Sequence, residues 1–306
     1  MRTVIIDCDP GTDDAIALFL ALGSPELDVV LVTAVGGNVG LDHTVRNARA
    51  LVGLSGKDVP VVAGADRPML GSFVAEPRVH GRNGVGGVVL PEGPPAAPGV
   101  AADAIRAVLR AAGPGEITLV GIGPATNLGL ALASEPALLD RVAEIVLMTG
   151  AWAEGNVTPA AEFNAWNDPE ALSIVLSCGR PVTVATLEVT AQAVATTAWI
   201  AAQRGQGGAC MAAACDILAS VPPSARLGGR GSPQHDACAI MWLVAPDMFT
   251  HRAVHASVDL THGPGRGRTV IDRWGKVPGA RNASVLETVD AERFFALLGE
   301  RIAGLP

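Results

Sequence analysis

Lysine is almost absent. Lys57 and Lys276 are the only two, and 22 Lys+Arg stand against 30 Asp+Glu, for a net charge of −8. Such a chain has no basic stripe along which a phosphate backbone or an anionic membrane could lie, so neither a nucleic-acid polymer nor a membrane is an expected partner. Cysteine is sparse and unpatterned: Cys8, Cys178, Cys210, Cys215 and Cys238 are odd in number and never spaced C-x-x-C. That argues against a disulfide frame or a cysteine zinc site and for reduced core thiols. Long apolar runs are missing too, and Met1–Ile6 leads straight into acidic residues. Neither a spanning helix nor a secretory leader is expected, and the cytoplasm is the expected compartment.

What is plentiful is aliphatic. With 49% apolar residues in 306, the chain has enough to bury a large core and too much to stay disordered. Short Val/Ile/Leu runs at Thr3–Cys8, Val29–Ala34, Val59–Val62, Ile117–Val120, Ile145–Met148 and Val182–Thr186 alternate with helical patterns at Asp13–Leu22, His43–Leu54, Val100–Ala111, Ala125–Ala133 and Pro169–Ser177. Strands that are apolar on both faces, separated by helices, predict an α/β fold with an open, mainly parallel sheet flanked by helices, a Rossmann-like core. Further helices are expected at Ala191–Gln203, Ala209–Ala219 and Asp236–Val244. The tail from Ala253 reads as antiparallel additions to the sheet, closed by a helix near Ala291–Ile302. No low-complexity linker or internal repeat divides the chain, so residues 1–306 are expected to form a single domain. The Gly/Pro loops Gly71–Gly87, Pro91–Gly99 and Pro222–Gln234 are long enough to be site walls, or idle surface.

The most informative segment is Asp7-Cys8-Asp9-Pro10-Gly11-Thr12-Asp13-Asp14, at the carboxyl end of a buried strand, where open α/β sheets bind ligands. Asp13 and Asp14 suit the first turn of a helix. Asp7 and Asp9 do not share that excuse, since like charges about 4 Å apart repel by roughly 4 kcal/mol at an effective dielectric of 20. With few basic residues nearby, hard oxygens converging here suit Ca²⁺ or Mg²⁺. A second cluster is Glu162-Phe163-Asn164 followed by Asp168-Pro169. Asp168 and Pro169 read as N-cap and first helical residue, whereas Glu162 and Asn164, with no such structural duty, would share a face if extended and suit sugar hydroxyls. In the third, Gln234-His235-Asp236, Asp236 reads on its own as an N-cap and His235 as a surface residue. The fourth, Val79-His80-Gly81, says little by itself.

Together these segments are far more specific. The acidic octapeptide is similar to the N-terminal signature of the nucleoside hydrolases that act on inosine and uridine. Gly36-Gly37-Asn38, Val79-His80-Gly81, Pro124-Ala125-Thr126-Asn127-Leu128, Val146-Leu147-Met148, Glu154-Gly155-Asn156, Glu162-Phe163-Asn164 and His235-Asp236 resemble that family's motifs in order and at similar spacing over essentially the whole chain. The resemblance implies an enzyme, homodimeric or homotetrameric, that hydrolyses the N-glycosidic bond of ribonucleosides to ribose and free base with one bound Ca²⁺. It implies Asp9, Asp14, Asp236 and the backbone carbonyl of Ile122 as calcium ligands. Asp13, Asn38, Asn156, Glu162 and Asn164 would hold the ribose beside Met148, and His80 and His235 would lie near the base. Asp9 is then expected to activate a metal-bound water for direct displacement at C1′, and His235 to act as general acid. Phe163, Trp152, Trp166 or Trp242 could flank the base, Trp242 being better suited to core packing. The chain departs from the family in having no tyrosine, where relatives often place one near the base, and in the turn Met148-Thr149-Gly150-Ala151.

Two other readings compete. A haloacid-dehalogenase-type phosphatase would use Asp7-x-Asp9 as its nucleophile turn, but it calls for a phosphate-binding lysine that neither Lys57 nor Lys276 convincingly supplies. A non-catalytic nucleoside- or ribose-binding protein would keep Glu162 and Asn164 but has no need of Asp9.

Overall fold

All six apolar runs form strands, buried over most of their length, in a computed structural model that describes residues 1–306. They are β1 (Arg2–Cys8), β2 (Leu27–Ala34), β3 (Val61–Ala63), β4 (Ile117–Gly121), β5 (Val142–Met148) and β6 (Val182–Ala185). A short ribbon follows, β7 (Val194–Ala195) paired antiparallel with β8 (Ser232–Pro233), and then β9 (Phe249–Val258), β10 (Thr269–Asp272) and β11 (Ala283–Val289). The main sheet has nine strands in the order β10-β9-β11-β6-β5-β4-β1-β2-β3. The C-terminal additions are antiparallel at β9 and β10, as expected, while β11 pairs in parallel with β6 and lengthens the parallel part.

Strand alternation divides the core into two layers. Val4, Ile6 and Cys8 of β1 face helices Thr12–Gly23, Leu41–Leu54, Ala209–Ser220, His235–Val244 and Ala291–Ala303. Ile5 faces the other way, onto helices Ala101–Ala111, Thr126–Ser134 and Pro169–Leu176. Burying each Leu, Ile or Phe in these layers contributes about 1.5–3 kcal/mol relative to exposure.

One expected helix is broken. Residues 191–203 are a turn, strand β7 and a helix Thr197–Gln203, preceded by a single helical turn Leu187–Thr190. Thr196 restarts the helix as its N-cap, its side chain accepting from Trp199 N–H at 3.1 Å. The break lets β7 pair with β8 and so anchors the end of the Pro222–Gln234 loop.

Strand order places the site. β1 lies between β2 and β4, and connections leave it toward β3 on one side and toward β6 on the other. The reversal opens a crevice beyond the carboxyl ends of β1 and β4. Helix Thr12–Gly23 starts directly after β1, and helix His235–Val244 packs beside it.

Candidate functional site

Asp13 and Asp14 stand in the first turn of one helix and Asp236 in the first turn of its neighbour. One oxygen from each comes within 4.8 Å of the others. The amino ends of both helices favour negative charge there, but two helix ends do not offset three ionised carboxylates. No arginine or lysine pairs with it; a histidine nitrogen, His80 Nδ1, stands 4.0 Å from Asp13 Oδ1. Asp14 is committed on both oxygens, accepting from Gly11 N–H at 2.9 Å and Asp9 N–H at 3.1 Å. Asp9 lies at the edge of this trio. Its Oδ2 accepts from Asn38 N–H at 2.7 Å, while Oδ1 is buried with no partner. Gly37 and Gly123 make room for it, since a Cβ at either would meet the Asp9 carboxylate at 2.1 and 2.6 Å. Burial, reinforced by the neighbouring acids, pushes Asp9, Asp14 and Asp236 above the usual carboxylate range, Asp14 to about 7. Hard oxygens, an orphaned acceptor and uncompensated charge together fit a divalent cation such as Ca²⁺ or Mg²⁺.

Asp7 is not part of this cluster, contrary to the expectation from spacing. Strand alternation turns it to the Ile5 side, where Thr33 and Asn127 donate to Oδ1 at 2.6 and 2.8 Å. An Asp7-x-Asp9 nucleophile turn of the phosphatase kind is therefore not formed.

Beyond the acids lies a cavity of about 720 Å³ whose lining includes Asp13, Asn38, His80, Ile122, Met148, Asn156, Glu162, Phe163, Asn164, His235 and Asp236. Glu162 is extended but Asn164 is already helical, so the two do not share a strand face, and Glu162 has a structural duty after all. It is the N-cap of helix Phe163–Asn167, accepting from Asn164 N–H at 2.9 Å and Ala165 N–H at 3.1 Å, and it also accepts from Gly150 N–H at 2.8 Å and Thr149 Oγ1 at 3.3 Å. Asn164 Nδ2 donates to the carbonyls of Ile122 and Met148, both at 3.1 Å, tying the ends of β4 and β5 together. Asn156 accepts from Phe163 N–H through Oδ1 at 2.9 Å, which leaves its Nδ2 without a protein partner. Asp168 is the N-cap expected, with Ala171 N–H donating to it at 3.0 Å.

Two histidines also line the cavity. Thr12 N–H donates to His80 Nδ1 at 3.1 Å, so this nitrogen is an acceptor and the ring proton sits on Nε2. His235 Nδ1 lies 2.6 Å from the hydroxyl of Thr190. Burial pushes both imidazoles below their ordinary pKa. Phe163 is the one expected aromatic that lines the cavity. Trp242 packs edge-on against Phe249 and His251, and Arg273 lies over Trp152. Glu188, Arg226 and Gln234 also line the cavity; distances of tens of residues in sequence hid Thr190 and Glu188 from pattern reading, and Arg226 read only as part of an Arg/Gly loop. That loop and Gly71–Gly87 are cavity walls, whereas Pro91–Gly99 bridges to β3 away from it.

Residues 4–296 match the model of the inosine-uridine preferring nucleoside hydrolase family. The pyrimidine-specific ribonucleoside hydrolase RihA of Salmonella arizonae is 41% identical over 303 residues, covering 98% of this chain and 97% of that one. A purine-preferring ribonucleoside hydrolase from Gardnerella vaginalis superposes with a TM-score of 0.92 at 32% identity, over 99% of this chain and 98% of its own. A plant nucleoside hydrolase gives 0.90 at 31% identity over 99% of each. The chain is thus similar over nearly its whole length both to a relative named pyrimidine-specific and to one named purine-preferring. By sequence over nearly its full length and by architecture, the chain belongs to the inosine-uridine preferring nucleoside hydrolase family.

Proposed function

We propose that this chain, as a single domain over residues 1–306, hydrolyses the N-glycosidic bond of ribonucleosides to ribose and free base, with Ca²⁺ held by Asp9, Asp14, Asp236 and the carbonyl oxygen of Ile122. The observation that carries the reading is the uncompensated acid cluster with an orphaned Asp9 oxygen, set beside a nucleoside-sized cavity. When bound, the cation supplies positive charge that orients the ribose hydroxyls and acidifies a water.

The chain's own groups do the rest. Asp9, fixed through Oδ2 by Asn38, takes a proton from the attacking water. As the C1′–N bond breaks, its electron pair leaves with the base and positive charge develops on the sugar, an oxocarbenium-like state that buried carboxylates stabilise. Asp13, Asn38, Asn156, Glu162 and Asn164 hold the ribose, with Met148 against it. His235 delivers a proton to the departing base, and His80, its proton on Nε2, orients that base. No helix is long and apolar enough to cross a membrane; a cytoplasmic homodimer or homotetramer belongs to the same proposal.

The test is ribose release from inosine, adenosine, guanosine, uridine and cytidine by native protein, by protein stripped with EGTA, and by stripped protein given back Ca²⁺. Release that disappears and returns with Ca²⁺ is expected. Asp9→Asn should lose several orders of magnitude in kcat, with a smaller change in KM. A protein that binds these nucleosides without releasing ribose would instead be a binding protein, and the catalytic reading would fall.

A further inference from the structure

One wall of the cavity has almost nothing to hold it. Between helix Ala209–Ser220 and strand β8, residues 221–230 include no buried residue, and Gly228 and Gly229 sit in left-handed turns with open space where a Cβ would be. Yet Pro222, Ser224, Arg226 and Leu227 line the cavity. The loop is knit to itself: Ser224 N–H donates to Gly231 O at 2.9 Å, and the N–H groups of Leu227, Gly228, Gly229 and Arg230 donate to carbonyls between Ser224 and Leu227. The one side chain of residues 222–230 that hydrogen-bonds outside the loop is that of Arg226. Its Nη1 donates to Gly155 O at 2.6 Å and its Nη2 to Glu154 Oε2 at 3.2 Å. Glu154 is well exposed, so that ion pair is weak, and the carbonyl is the stronger partner of the guanidinium. Gly155 is a firm anchor. It is buried, in a turn so tight that a Cβ on it would meet Ala161 O at 2.1 Å, and it precedes Asn156, whose Oδ1 is fixed by Phe163 N–H.

We propose that Arg226 is a positioning residue for the substrate: by gripping Gly155 it holds residues 222–230 in place as a cavity wall, and so sets how tightly a nucleoside is retained. This rests on the nucleoside reading above and deepens it. With neither buried apolar area nor another outward hydrogen bond, the loop owes its place to this contact, and without it the wall must be ordered at the expense of binding. The wall supplies no chemistry. Its loss therefore weakens ground-state and transition-state binding alike, which appears in KM rather than in kcat.

The experiment uses native protein, Arg226→Met and Arg226→Lys, with two readouts: steady-state kinetics on whichever of the five nucleosides is the best substrate, and the rate of tryptic cleavage after Arg230, followed by mass spectrometry. Methionine keeps the apolar stem and has no donor. Arg226→Met should raise KM by roughly fivefold or more, about the worth of one net hydrogen bond, with kcat within about twofold of native. Cleavage after Arg230 in ligand-free protein should be faster by a similar factor. Arg226→Lys, which keeps a charged donor, should recover most of both. A native KM in Arg226→Met overturns the inference. So does a raised KM with unchanged cleavage, because Arg226 would then touch the nucleoside rather than hold the loop. If native protein releases ribose from no nucleoside, the hydrolase reading fails on its own; cleavage after Arg230 still decides the tether, faster in Arg226→Met upholding it and unchanged overturning it.

Discussion

The hydroxyl of Thr190 is the only protein group recorded against His235 Nδ1, at 2.6 Å, and Thr190 itself is fully buried. A hydroxyl can give or take a hydrogen bond. Toward the charged ring it accepts from Nδ1–H, its own proton turned to the carbonyl of Leu187, 3.3 Å away; once Nε2 has given up its proton the ring keeps the one on Nδ1, and the hydroxyl goes on accepting it. His235 can thus pass a proton to the base without stranding a buried polar atom. Thr190→Val, equal in shape but without the hydroxyl, should lower kcat on ordinary nucleosides by about tenfold or more. It should leave p-nitrophenyl riboside, whose leaving group needs no proton, almost unchanged, and Thr190→Ser should recover most of the loss. An equal loss on both substrates would mean that Thr190 only packs. None of this was visible in the chain, because the two residues are 45 positions apart and the threonine sits in an Ala/Thr-rich stretch.

At the scale of elements, the strands were readable because Val, Ile and Leu buried on both faces leave a nearly continuous run, and the acidic turn was readable because β1, turn and helix are consecutive. The interpretation of Glu162 was less secure, since a cap and a ligand site look alike until the backbone is known. Glu162 is a cap that also lines the cavity: four donors converge on it. Glu162→Gln turns an amide –NH₂ toward backbone N–H groups that need an acceptor. It should cost about 1–2 kcal/mol of stability, in the range of a lost N-cap, and raise KM. Thermal unfolding and steady-state kinetics on one preparation separate the two effects, and a raised KM with an unchanged Tm would show that the cap contributes nothing measurable. The broken helix at residues 191–203 was illegible for a different reason. Its alanines favour helix, and only the pairing of β7 with β8, supplied by a segment almost forty residues later, overrides that preference.

For the whole molecule, the acid cluster links metal, pH and stability. Asp7 and Asp14 are each pushed to about 7 by burial, and Asp9 and Asp236 are pushed up as well. Metal-free folded protein therefore keeps protons that the unfolded chain has released above about pH 4, so its stability must fall as pH rises through the folded values. Buried His80 and His235, pushed below their ordinary value, act in the opposite sense, but only below about pH 6.5, so the window to read lies above that. From about pH 6.5 to about pH 8, the Tm of EGTA-stripped protein should decline. Ca²⁺ binds the deprotonated cluster, so it should raise Tm more at the upper end of that window than at the lower, by several degrees at a hundredfold excess over its Kd. Asp7 lies on the other side of the sheet, so its share of the slope should persist in saturating Ca²⁺ and vanish in Asp7→Asn. A calcium increment that does not change with pH would show that the cluster ionises freely in the folded protein, and the electrostatic case for a cation between these helices would fail.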